Sequence, residues 1–280
     1  MSRIVLVHGI GQQIKGSHTL QESWYPALLD GLARAGREPI DRRDVAMGFY
    51  GDLFRKRGTR AVGAPTLDSS DVTEDERELL LTWWETAAAL EPAVPGPGDP
   101  TRMRTPDIVQ RALNALSHSA FFSGIAEHLL IFSARQTRLY LGDRGIRVQA
   151  RARVNDAITD RTRVVVAHSL GSVVAYEALH ENAAARNVTL VTLGSPLGIR
   201  GLVFDRLEPP PSDGRGAWPA SVVRWTNIAD RGDVVALSKW LGPFFGGDLT
   251  DLLVHNGSRA HDVRPYLTAE ETGAAIAEGL

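Results

Sequence analysis

Thr162-Arg163-Val164-Val165-Val166-Ala167-His168-Ser169-Leu170-Gly171-Ser172-Val173-Val174-Ala175 reads as a strand, a single serine on a turn, and a helix. Val164 to Val166 are a short β-branched run of the kind buried in a parallel sheet. From Leu170 the pattern becomes helical, with Val173, Val174, Ala178 and Leu179 on one face. Ser169 therefore belongs to a tight strand-to-helix turn, which presents its hydroxyl at the carboxyl edge of the sheet beside the free amides of the helix. That is the geometry of a nucleophile elbow. The G-x-S-x-G pattern is met as Ala167-His168-Ser169-Leu170-Gly171, with alanine in place of the first glycine; alanine is still small enough for close helix-strand approach. A serine capping an ordinary helix is the plainer alternative, and the choice falls to the rest of the chain.

Upstream, Ile4 to Val7 form another apolar strand that ends in His8-Gly9-Ile10-Gly11-Gln12-Gln13 and leads into a helical pattern through Trp24, Leu28, Leu29 and Leu32. Strand, glycine loop and helix make one half of a parallel α/β unit. The loop is not a dinucleotide fingerprint, because Ile14 stands where the third glycine should be. Nor is it a P-loop, because Lys15 and Gly16 are in the wrong order. It can still supply backbone amides at the sheet edge, which suits an oxyanion donor. Asp44 to Tyr50 is the next strand, after which the βα pattern lapses for about a hundred residues. Thr73 to Leu90 reads as a helix, Pro92 to Pro100 as a loop, and Pro106 to Leu141 as a second helical stretch. The span 56–158 is therefore expected to be a helical insertion, as a cap or lid or as an extra helical layer, within a single domain 1–280.

The sheet resumes at Arg163 and again at Asn187 to Leu193, whose following Ser195 is assigned to turn and wall. A further strand, Val222 to Ile228, leads into Asp230 and Asp233, and Leu252 to Val254 is a last strand before His255 and His261. A serine hydroxyl needs a base in reach and an acid to orient that base. Ser169, then Asp233 or Asp230, then His261 or His255 is the order of a triad built on successive loops of a hydrolase sheet.

Composition narrows the classes. The 280 residues suffice for one large core, and a net charge of -2 gives no reason to expect a nucleic-acid partner. The basic cluster Arg55-Lys56-Arg57 reads as solvated loop. With no cysteine, a disulfide, a thiolate metal site and a cysteine nucleophile are all excluded. A core strand beginning at Ile4 leaves no space for a signal segment, so a cytoplasmic protein is expected. Ala112 to Ala134 is apolar but interrupted by Asn114, His118, Glu127 and His128, a poor membrane span. No cofactor or metal is expected; His255, His261 and Asp262 match no metal-ligand spacing.

On Val7 to Gln13, Ala167 to Ser172, Leu193-Gly194-Ser195-Pro196 and Asn227 to Val234, the chain resembles the α/β-hydrolases of the lipase and serine-esterase group, near the GPI-inositol-deacylase-like and class 3 lipase-like branches. The resemblance covers about the first fifty residues and Arg161 to the end. It implies Ser169 as nucleophile, Asp233 as acid with Asp230 as neighbour, and His261 as base in preference to His255. It further implies an oxyanion hole from the amides of Leu170 and Ile10. Family members usually carry two strands before the His-Gly strand. This chain begins at that strand, so a reduced, mostly parallel sheet of about six strands flanked by helices is expected. His8 is read as loop-shaping and His168 as pointing away from the nucleophile. His18, His118, His128 and His180 are read as surface or packing residues.

The implied activity is cleavage of carboxylic esters through an acyl-enzyme, with an ester or lipid-like small-molecule substrate. The apolar Trp240 to Phe245 would suit an acyl chain or transient contact with a membrane surface. A thioesterase or peptidase would need the same triad, and a non-catalytic scaffold could keep the same fold.

Overall fold

The structure, a computed structural model, describes residues 2–55, 68–98, 108–119 and 127–280. Lys56, Arg57, Pro100, Pro106, Phe121, Phe122 and Ile125, which entered the reading of the insertion, lie outside the described residues. Six strands form one sheet: β1 (Ile4–Val7), β2 (Val45–Gly48), β3 (Val164–His168), β4 (Val188–Leu193), β5 (Val222–Asp230) and β6 (Leu249–Val254). The spatial order is β2-β1-β3-β4-β5-β6, and every neighbouring pair is parallel. The chain is thus α/β, with the sheet size and direction the sequence implied. Both β5 and β6 are longer than their apolar runs, and Asp230 ends a strand where a loop residue was expected.

A parallel sheet is covered on both faces, which explains why β1 and the Val164 to Ala167 run of β3 are apolar throughout and why β4 is buried along its whole length, Thr189 and Thr192 included. The side chains still alternate between two cores. Ile4, Leu6, Val164, Val166, Val191 and Leu193 pack beneath α1 (Ser17–Arg34), α8 (Val263–Thr268) and α9 (Glu270–Ala277). Val5, Val7, Val165, Ala167 and Leu190 face the other way, toward α5 (Arg144–Ala157) and α6 (Leu170–Glu181). The connections after β1 and β3 run to helices on opposite faces, although these strands are neighbours. Such a reversal marks the carboxyl ends of these two strands as the usual place for a site in a parallel α/β sheet.

The helical insertion contains α2 (Glu74–Leu90), α3 (Ile108–Leu116), α4 (Glu127–Gly142) and α5. The single stretch expected over Pro106 to Leu141 is broken, since α3 stops at Leu116 and turn residues follow. Ser117 Oγ donates to the Asn114 carbonyl at 2.7 Å, the local side-chain bond by which serine competes with a continuing helix. Helix α5 was not separated from the insertion by periodicity. Its buried face mixes Ala150 and Val154 with Arg147 and Arg151, so the apolar row is interrupted by two arginines. Arg147 and Arg151 meet the fully buried Glu177 of α6, and Tyr140 donates to Glu177 Oε2 at 2.6 Å. Charge pairing thus joins apolar packing in seating α5 against α6. Leu80, Trp84, Leu113 and Ile131 from α2, α3 and α4 join the same core cluster as Val165 and Val173, so these helices share the sheet's hydrophobic core.

Candidate active site

Ser169 lies between β3 and α6 with φ 54° and ψ -133°, outside the regions open to an L-residue at low cost. Backbone bonds hold it there. Its N–H donates to the Leu193 carbonyl at 2.9 Å, and its carbonyl accepts from Ser172 N–H at 2.9 Å and Ser172 Oγ at 2.6 Å. Ser195 Oγ in turn lies 2.7 Å from Ser172 Oγ and accepts from Leu197 N–H at 3.2 Å. Ser195 thus joins the framework of the turn, and Ser172 is a member of it that sequence reasoning passed over. Gly171 supplies the close approach of helix to strand, since a Cβ there would stand 2.3 Å from the His8 carbonyl oxygen.

Ser169 Oγ is 2.8 Å from His261 Nε2, and His261 Nδ1 is 2.7 Å from Asp233 Oδ2. With Nδ1–H directed at a carboxylate, Nε2 is left as the acceptor of the serine hydroxyl. Asp233 is fully buried and accepts from four donors: His261 Nδ1, Tyr266 Oη at 2.8 Å, Val235 N–H at 2.9 Å and Ala236 N–H at 3.2 Å. Burial by itself raises its carboxyl pKa. The charge and hydrogen bond of His261, with help from Lys239 and Tyr266, outweigh burial and lower the value to about 2. Lys239 also donates from Nζ to the Asp233 carbonyl. Tyr266 does double duty, because its Oη also accepts the Asp230 N–H at 2.7 Å.

The other member of each pair left by the sequence lies away from Ser169. Asp230 accepts from the N–H groups of Gly232 and Asn256 and so shapes the loop. His255 is exposed, in the wall of a surface cleft of about 690 Å³ that also includes Arg259 and Arg264. Asp262 caps α8 and pairs with Arg264. His168 points away from Ser169 but does not stand idle. Its Nε2–H donates to the His261 carbonyl at 2.9 Å, and the two rings lie 4.6 Å apart. Burial, reinforced by the nearby His261 charge, lowers the His168 pKa to about 3, which keeps it a neutral donor. His18 and His118 are exposed, and His180 packs edge-on against Tyr176 at 4.7 Å.

Comparison with protein-family models, curated proteins and solved structures finds no match.

The glycine loop lies against the serine: a Cβ on Gly9 would stand 2.7 Å from Ser169 Cβ. His8 holds this loop. Its Nε2 accepts Tyr50 N–H at 3.1 Å, so Nδ1 carries the proton and donates to the Gly9 carbonyl at 2.7 Å. Burial lowers the His8 pKa to about 4, preserving that arrangement over most of the pH range. The amides of Ile10 and Leu170 make no hydrogen bond to the described residues. Two uncommitted amides beside a serine hydroxyl can stabilise an anion forming on a carbonyl oxygen. Among the described residues, no cluster of three or more His, Asp or Glu side chains could hold a metal ion, and no helix is long and apolar enough to cross a membrane. In the apolar segment after β5, which holds the short helix α7 (Gly242–Phe245), Leu241 and Phe245 are buried core, while Trp240 is 50% exposed.

Proposed function

We propose that this chain is a serine hydrolase of the α/β-hydrolase type that cleaves carboxylic esters, with acyl or lipid-like esters as the substrate class. The observation that carries the reading is the continuous hydrogen-bonded row Ser169 Oγ, His261 Nε2, His261 Nδ1, Asp233 Oδ2, mounted on a strand-to-helix turn with φ 54° at the serine. A backbone in that region is costly, and it exposes a side chain at the point where a sheet and a helix amino end converge.

In this reading Ser169 Oγ attacks the ester carbonyl carbon as His261 Nε2 takes the hydroxyl proton. The carbonyl oxygen becomes an oxyanion held by the N–H groups of Leu170 and Ile10. Collapse of the tetrahedral species breaks the bond to the leaving alkoxide, which receives the proton from His261 and departs as an alcohol. Water then attacks the acyl-enzyme by the same route and releases the carboxylic acid. Asp233 stays ionised throughout, which is what a carboxyl held near pKa 2 requires; it orients the imidazole and stabilises the imidazolium. The ester class and the lipid-like substrate rest on the sequence resemblance and are part of the proposal.

Labelling with a fluorophosphonate probe tests the reading. The wild-type chain is expected to be labelled at one site, and Ser169→Ala to lose the label while remaining folded. A folded wild-type chain that takes no label and hydrolyses no member of an ester panel would sink it.

A further inference from the structure

The two peptide groups flanking Ile10 are pinned at opposite ends. In the Gly9–Ile10 peptide the carbonyl is held by His8 Nδ1–H. A trans peptide directs its C=O and N–H in opposite senses, so this bond also sets the direction of Ile10 N–H. In the Ile10–Gly11 peptide the carbonyl accepts from Gln12 Nε2 at 3.2 Å, and Gly11 N–H donates to Gln136 Oε1 at 2.7 Å. Gln136 belongs to α4, separated from Gly11 by 125 positions in sequence. Its side chain is 1% exposed, and its Nε2 is itself held by Gln13 Oε1 at 3.2 Å. A buried amide aimed at a loop amide from so distant an element is not explained by the packing of α4: its other buried residues are the apolar or aromatic Leu130, Ile131, Ala134 and Tyr140, and Thr137, whose hydroxyl is spent within the helix on the Ser133 carbonyl at 3.1 Å.

We propose that Gln136 is a positioning residue for the oxyanion hole: by binding Gly11 N–H it leaves Ile10 N–H as the loop amide directed at the reacting carbonyl. The inference rests on the acyl-transfer reading and deepens it. The helical insertion then takes part in catalysis through a hydrogen bond to the glycine loop, without touching substrate. Gln136 is the only contribution of α4 to this loop that carries a hydrogen-bond acceptor for Gly11 among the described residues.

The test compares wild type, Gln136→Leu and Gln136→Glu. Leucine removes the acceptor at similar volume, whereas glutamate keeps an oxygen that can accept from Gly11 N–H. The probe is an aryl ester alongside its thionoester, whose sulfur is a poor acceptor for oxyanion-hole donors. Gln136→Leu is expected to lower kcat on the ester by about tenfold or more with little change in KM, since a misdirected donor forfeits part of the hundredfold or more that a lost donor costs. The rate ratio of ester to thionoester should fall with it, and Gln136→Glu, which keeps the acceptor for Gly11 but adds a charge and loses the donor to Gln13, should restore slow amide exchange at Gly11. Amide hydrogen exchange at Gly11 supplies a readout independent of turnover and should accelerate in Gln136→Leu. A folded Gln136→Leu protein with wild-type kcat and ester-to-thionoester ratio overturns the proposal, as does unchanged exchange at Gly11. An unlabelled, inactive wild-type chain overturns the acyl-transfer reading first, and this inference with it.

Discussion

Asp233 shows how much of a candidate site is decided by single hydrogen bonds. Its Oδ2 serves His261 and Tyr266 together, while Oδ1 is taken by two backbone amides. Asp233→Asn removes the charge and offers an amide in place of one acceptor, so His261 loses its enforced tautomer. Ester turnover is expected to fall by ~10³-fold or more with the fold retained. Tyr266→Phe is milder: it strips one donor from the carboxylate and leaves Asp230 N–H without its acceptor, a loss of about 1–3 kcal/mol in unfolding free energy measurable by denaturant titration. Gly194 shares this spot. Its φ is 55°, and a Cβ would stand 2.7 Å from Asp233 Oδ2 and 3.1 Å from His261 Nδ1. Gly194→Ala is expected to cost about 1–3 kcal/mol of stability and to lower kcat more than it raises KM, because it pushes on the acid and the base, not on substrate.

At the scale of elements, the sheet strands and the turn at Ser169 were readable because each is written in contiguous residues. Three β-branched residues, a small-residue turn and a helical period need no distant partner to be recognised. Helix α5 was not readable in this way, because two of the four residues on its buried face are arginines. Arg147 and Arg151 look solvent-facing until Glu177 of α6 and Glu208 are brought against them. Removing Glu177 leaves Arg147, 6% exposed, without its main partner. Glu177→Leu is therefore expected to destabilise the protein by about 3–5 kcal/mol, read by thermal or chemical unfolding. Val173→Ala, on the same helix in the apolar core, should cost less, about 1–3 kcal/mol. A reversed order of the two effects would mean that α5 is seated by apolar packing.

For the whole molecule, buried titrating groups set an acid limit. His8 and His168 have folded pKa values of about 4 and about 3, both below the ordinary histidine value of 6.5. The unfolded chain therefore binds protons that the folded chain refuses as pH drops below 6.5. Stability falls over that window at up to about 1.4 kcal/mol per pH unit for each histidine. Asp233 acts lower on the scale: its folded pKa of about 2 lies below 3.8, so its contribution is present above pH 3.8 and is lost as pH falls toward 2. Denaturant midpoints should be nearly level above pH 7 and decline steadily between pH 6.5 and 4. His168→Gln, which can still donate to the His261 carbonyl, should flatten that decline. Equal slopes in the variant and the wild type would show that His168 is protonated in the folded protein.

Sequence alone determined that this is a parallel α/β chain with Ser169 on a strand-to-helix turn beside a glycine loop, because strand, turn and helix are local patterns in which neighbouring residues carry the whole signal. It also brought the partners proposed for that serine down to two aspartates and two histidines. Tertiary structure decided the rest. Only the fold sets Asp233 and His261, not Asp230 and His255, in line with Ser169, because a difference of a few residues on a loop reverses where a side chain points. Only the fold shows Tyr266 on Asp233, His168 on the His261 carbonyl, and Gln136 on Gly11. These bonds join positions 33, 93 and 125 apart, and no period in a single sequence records which distant donor will meet which acceptor once both have left water.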